Sequence, residues 1–159
     1  SPTVTQDSYI GNFPDGYQKP KTRLPGSGGA GDMACSCTKT IIIMAHEPRR
    51  FNEKLNYYTS MGHLDGSPGA RKAAGIQGNG PSRVITTKAL MGFDDESKRM
   101  KILAVMPGET VESVQAATGF TLLVDKDVYE FEPPTVEEIK LIREVIDPYG
   151  YFVKKKIKE

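Results

Sequence analysis

Apolar residues fall into short runs from Thr38 onward, whereas the first 34 residues hold many Gly, Pro and Asp and little periodicity. Thr38–Ala45 is a continuous apolar run rich in β-branched residues, which predicts a strand buried on both faces, as in a helix-covered parallel or mixed sheet. His46–Arg50 interrupts it, and Pro48 sets a boundary before Phe51–Tyr58, a short helix or turn. Residues 60–82 are glycine-rich with two prolines and predict a long loop. β structure restarts at Arg83–Thr87. Ala89–Phe93 and Met100–Met106 then enclose the polar stretch Asp94–Arg99, the pattern of an antiparallel hairpin with a solvated turn.

Helical signals follow. Thr110 can cap a helix running to about Thr118, with Gly119 as its stop. Thr121–Val124 predicts a further short strand. Thr135 and Glu138 form a capping box, and Val136, Ile139, Ile142 and Val145 share one helix face up to Asp147–Pro148. No solenoid repeat is present. The pattern as a whole is α/β: a mixed open sheet flanked by helices, in a single domain over residues 1–159 that lacks its beginning.

Composition narrows the function classes. The 159 residues are the size of one domain, and 21 Lys plus Arg against 20 Asp plus Glu leave a net charge of +1. That balance gives no nucleic-acid footprint. The basic run Lys154–Lys158 reads as a solvated end. No apolar stretch reaches the roughly 18 residues of a membrane span. Ser1–Val4 has no signal-peptide character, and without an initiator Met the chain reads as cut, processed or a fragment. Cys35 and Cys37 lie too close for an ordinary structural disulfide, so a reduced, cytoplasmic protein is expected. On a strand their side chains would point the same way.

Gly26-Ser27-Gly28-Gly29 is the densest site signal. Glycines admit a ligand close to backbone N–H groups, and two or three such amides aimed at one point make an anion or oxyanion site. The run matches neither the phosphate-loop nor the dinucleotide fingerprint. On composition alone, a binding loop and a flexible linker both stay open.

The surrounding residues add a resemblance. Lys19–Asp32 resembles the glycine loop of family I CoA-transferase β subunits, and Ile41–Phe51 is similar to the strand and His-Glu-x-Arg-Arg-Phe turn of the glutaconate branch. Tyr58–Gly66, Arg83–Thr86, Phe93–Met100, Val114–Phe120 and Pro133–Pro148 are similar to the same subunit in the same order. The resemblance spans about residues 8 to 150. It implies a CoA-transferase-like fold and an enzyme that moves coenzyme A from an acyl-CoA to a carboxylic acid. In that chemistry a Glu carboxylate attacks the thioester, and the CoA thiolate then attacks the resulting anhydride to give a glutamyl-CoA thioester. Gly28 and Gly29 would supply oxyanion amides, with Gly29 ahead. Gly26, Ser27, Ala30 and Arg23 would bind the substrate or CoA, Gly26 and Ala30 by shaping the loop and Arg23 by meeting CoA phosphates or a substrate carboxylate, as Lys19 and Lys21 also could. Coenzyme A enters as a thioester substrate, with no permanently bound cofactor. The expected partners are an α subunit and the remaining N-terminal part of the β subunit, with neither nucleic acid nor membrane.

The family's nucleophilic Glu, in a Glu-Ser-Gly setting ahead of the glycine loop, has no match here. Glu96 lies in the hairpin turn and Glu47 reads as structural. The resemblance therefore implies a C-terminal portion that is inactive alone. Two alternatives remain: an acyl-CoA hydrolase or decarboxylase on the same scaffold, or a non-catalytic scaffold binding CoA esters. Cys35, Cys37, His46 and His63 do not have zinc-site spacing, and no metal is expected. Cys35 and Cys37 read as small packed residues. Arg49 and Arg50 are expected to pair with acidic surface groups, and His63 and Asp65 to be solvated loop residues.

Overall fold

A computed structural model describes residues 9–10, 22–23, 28–55, 58 and 60–153. Two short strands, β1 (Tyr9–Ile10) and β2 (Thr22–Arg23), pair antiparallel. Helix α1 (Gly28–Ser36) leads into β3 (Thr40–Met44), and a 3₁₀ turn follows at Pro48–Arg50. The one-turn helix α2 (Ala70–Ala73) precedes strands β4 (Pro81–Thr86), β5 (Ala89–Phe93) and β6 (Met100–Val105). Helix α3 (Val111–Ala116), strand β7 (Leu123–Glu130) and helix α4 (Val136–Leu141) complete the order, α4 running on as a π-helical turn over Ile142–Ile146.

The main sheet has the order β3-β4-β5-β6-β7. β3 runs parallel to β4 and β6 parallel to β7, while β5 is antiparallel to both its neighbours. Four strands therefore end at one edge of the sheet and β5 at the other. The expected mixed sheet and β5–β6 hairpin are present. Strand β7 is longer than the short Thr121–Val124 run implied.

The core lies on one face. Val84, Met91 and Ile102 from the sheet meet Val114 of α3, Phe51 and Leu122. Thr110 caps α3 as its sequence indicates, accepting from the Ser113 amide while the Ser113 hydroxyl accepts from the Thr110 amide. Met91, Ile102 and Val114 are fully buried, and each such side chain stabilises the fold by about 1.5–3 kcal/mol.

Four expectations are corrected. β3 is not buried on both faces: Ile41 and Ile43 are 53% and 79% exposed, because β3 is an edge strand whose outward face nothing covers among the described residues. Gly119 is not a left-handed helix stop; its amide donates to the Phe51 carbonyl at 2.7 Å, and a β-carbon would lie 2.6 Å from that oxygen. Close approach, rather than backbone conformation, selects glycine there. The Thr135–Glu138 capping box forms, yet Val136 and Val145 of the apolar stripe stay 76% and 68% exposed. Finally, of the helix or turn expected over Phe51–Tyr58, residues 51–55 show no helix but a bend at Glu53–Lys54, with Asn52 bridging to Gly119. Asp147 does close α4, its carboxylate accepting from the amides of Tyr151, Phe152 and Val153.

Candidate active site

Gly28, Gly29 and Ala30 form the exposed first turn of α1, rather than a loop. Four of the first five residues over Gly28–Asp32 are Gly or Ala, and each Gly costs a helix about 1 kcal/mol against Ala. The helix is held instead by its far end. The Arg71 guanidinium donates to the Ala34 carbonyl at 2.6 Å, and the Gly78 amide donates to that of Cys35 at 2.6 Å. The first-turn N–H groups of a helix have no intrahelical acceptor and carry its positive pole. Among the described residues, a β-carbon at Gly28 or Gly29 would meet nothing within 4 Å, so this turn is open on its outer face. Arg23 lies in β2, paired opposite Tyr9. Gly26, Ser27, Lys19 and Lys21 lie outside the described residues.

Cys35 and Cys37 are free and stand on or just after α1, not on a strand. Their carbonyls enclose Gly78, where a β-carbon would lie 2.5 Å from the Cys37 oxygen and 2.8 Å from that of Cys35. Glu47 accepts from Arg49 at 2.6 Å and Arg50 at 3.1 Å, which gives both arginines their acidic partner. Those two hydrogen bonds hold the Glu47 carboxyl below its ordinary value.

At the edge where β3 and β4 end, His46 is buried and stacks on Phe51 with ring centroids 4.2 Å apart. Its Nδ1 lies 3.0 Å from the Thr86 hydroxyl and its Nε2 3.0 Å from that of Thr118. Thr118 donates to the Val114 carbonyl, so Nε2 carries the proton that Thr118 accepts. The Thr86 hydroxyl accepts from the Lys88 and Ala89 amides and shares its one proton between the Ala89 carbonyl, 3.0 Å away, and His46 Nδ1. Burial lowers the His46 pKa, and Lys88 lowers it further. Lys88 is itself bound by Glu109 at 2.7 and 2.8 Å, and the Ser113 hydroxyl donates to the same carboxylate.

His63 occupies the opposite edge. It is half-buried, not solvated as expected, because its Nε2 bonds the Pro81 carbonyl at 2.8 Å and its ring meets Phe93 edge-on. Asp65 turns to the amide and hydroxyl of Ser67 and does not pair with His63. Among the described residues, no three His, Cys, Asp or Glu side chains gather as metal ligands. No helix among them is long and apolar enough to cross a membrane.

Residues 8–117 match the Coenzyme A transferase family. The chain belongs to that family. Within it, the chain is 48% identical over 138 residues to the B subunit of glutaconate CoA-transferase of Acidaminococcus fermentans, covering 86% of this chain and 51% of that one. It is 37% identical over 127 residues to the B subunit of 3-oxoadipate CoA-transferase of Pseudomonas knackmussii, covering 80% and 48%. The solved glutaconate coenzyme A-transferase of A. fermentans superposes with a TM-score of 0.75 at 44% identity, covering 94% of this chain and 55% of that one. The chain spans about half the length of the curated relatives it matches.

Two features of this CoA-transferase family member escaped the sequence pattern. His46 joins Thr86 and Thr118 across 40 and 72 residues, a separation no local window detects. Arg71 is buried and, among the described residues, donates to main-chain carbonyls alone, those of Ala34, Met61, Gly62 and Gly78. A charged residue between glycines was the sole local hint of it.

Proposed function

We propose that the chain is part of the β subunit of a CoA-transferase, one domain over residues 1–159, that moves coenzyme A between an acyl-CoA and a carboxylic acid through a glutamyl-CoA thioester. The observation that carries this reading is the open first turn of α1, set in a chain 48% identical to the B subunit of a glutaconate CoA-transferase. Each acyl-transfer step passes through a tetrahedral oxyanion, and amides fixed before the reaction stabilise that charge more than they stabilise the flat thioester. Gly28 and Gly29 supply those amides in this reading. A side chain at either position would fill the space a thioester oxygen needs. Gly26, Ser27 and Ala30 shape the turn, and Arg23 meets a phosphate or carboxylate of the substrate.

The nucleophilic carboxylate and the α subunit come from outside this chain, which alone has no transferase activity. Coenzyme A takes part as a thioester substrate and not as a bound cofactor.

Transfer from an acyl-CoA to acetate, measured on the complex with its partner subunit, tests the reading. Because a β-carbon at position 29 meets no neighbouring atom among the described residues, Gly29→Val is expected to fold while placing a side chain beside the proposed oxyanion amides. Its kcat is expected to fall by about 10² or more. A folded variant with near-normal kcat overturns the role. Thioester hydrolysis without transfer would place the complex with acyl-CoA hydrolases instead.

A further inference from the structure

An open cleft of about 650 Å³ lies at the amino edge of the sheet, beside the start of β4, and is lined by His63, Ser67, Arg71, Lys72, Asn79 and Lys98 among others. Its residues come from the glycine-rich 60–82 segment and from the β5–β6 turn. The two are locked together at Gly66, where a β-carbon would lie 2.6 Å from the Ser97 carbonyl. That contact sets Lys98, whose φ is +55°, at the cleft wall. Lys72 enters from α2, whose other charged residue, Arg71, anchors the floor.

The charge of this cleft is one-sided. Among the described residues, no Asp or Glu lines it. Arg71 is 8% exposed, and no carboxylate among those residues pairs with it; four carbonyl oxygens orient the guanidinium without cancelling its charge. Two acids flank the cleft without lining it. Asp65 stands on the same loop with its Oδ1 bound to Ser67, and Asp95 faces the neighbouring hollow beside Arg83 and Lys98. Field and burial agree at His63: burial lowers its pKa most, the Pro81 hydrogen bond opposes this, and Lys98 and Arg71 lower it further.

A concave site holding two lysines, a buried guanidinium and the side-chain amides of Gln77 and Asn79, with no carboxylate among its described lining residues, matches the chemistry of an anion. Its volume falls in the range of small-molecule sites, roughly 300–1,000 Å³, and exceeds what a single inorganic ion fills. We infer that this cleft binds a phosphate ester of nucleotide size, with Lys72 and Lys98 contacting the phosphate oxygens and Arg71 supplying the fixed positive charge behind them. The ester is either a free nucleotide or the phosphorylated adenosine end of a CoA thioester. The second source rests on the function proposed above; the first does not.

Titration calorimetry of the 159-residue chain with adenosine 3′,5′-bisphosphate tests the site, with amide chemical shifts locating the ligand. Saturable binding that weakens with salt and moves the Gly69, Gly75 and Gly78 signals is expected. Lys72→Ala and Lys98→Ala are each expected to weaken it by about tenfold, the worth of one charged hydrogen bond, without shifting Tm. If acetyl-CoA binds at least as tightly and responds equally to both substitutions, the ligand is the end of a CoA ester. Bisphosphate binding without acetyl-CoA binding identifies a free nucleotide. No saturable binding, affinity unchanged in both lysine variants, or shifts confined to Gly28–Ala30 would overturn the cleft site. The last result would still leave the proposed function standing.

Discussion

The two edges of the sheet handle buried polar groups in opposite ways. Where β3 and β4 end, His46 is closed in by two threonine hydroxyls and an aromatic ring, with both ring nitrogens bonded and burial favouring the neutral form. Where β4 begins, Arg71 is buried as a cation among carbonyls and stands in the wall of an open cleft. The first arrangement is satisfied internally and reads as a fastening between two strands and α3. The second retains unbalanced charge next to space, which is the condition for recruiting an anion. The same burial therefore serves cohesion at one edge and binding at the other.

The largest effect that would break this comparison is at Arg71. Arg71→Ala strands four carbonyls and frees the far end of α1, and is expected to cost about 4 kcal/mol, since each hydrogen bond to a charged group contributes roughly 1.5–3 kcal/mol and the loop relaxes in part. Urea unfolding measures it. A loss under about 1 kcal/mol would mean that α1 holds itself, against its glycine content. His46→Ala comes next, at about 3 kcal/mol for the cavity left by a buried ring and the two hydrogen bonds it made to Thr86 and Thr118. Here pH separates a neutral fastening from a charged one. Burial holds both histidines below their ordinary value near 6.5, so between the folded and ordinary values the unfolded chain binds more protons. The stability they contribute is complete above about pH 6.5 and declines as pH falls through the folded value. In His46→Ala that decline should shrink; an unchanged profile would argue against a neutral ring. Thr110→Ala, which removes only the α3 cap, is expected to cost about 1 kcal/mol and to leave both edges as they are.

What was legible in the sequence was local. The cap at Thr110 and the capping box at Thr135 lie within three residues of their partners, and the β5–β6 hairpin joins two apolar runs across a polar turn, so short windows contain the whole signal. The edge position of β3 was not legible, because Ile41-Ile42-Ile43 has the same composition whether one face or both are covered. Helix α1 was hidden for the opposite reason: its glycines argue for a loop, and the contacts that hold it come from Arg71 and Gly78, some 40 residues away. The glycine segment stood out as a site in the sequence, but its shape as a helix turn did not. The anion cleft left almost no trace, since its lysines sit 26 positions apart on segments that individually read as solvated.

The order of the main sheet has a consequence for how it assembles. Sheet order β3-β4-β5-β6-β7 is also chain order, so each strand adds beside its predecessor. The pairings β4–β5 and β5–β6 close over residues 87–88 and 94–99, loops short enough to form early. β3 must reach β4 across residues 45–80, the segment that carries the cleft, and so joins late. Rapid-mixing experiments should see amide protection in β5 and β6 before β3, and the cleft should gain its shape only as the sheet gains its edge.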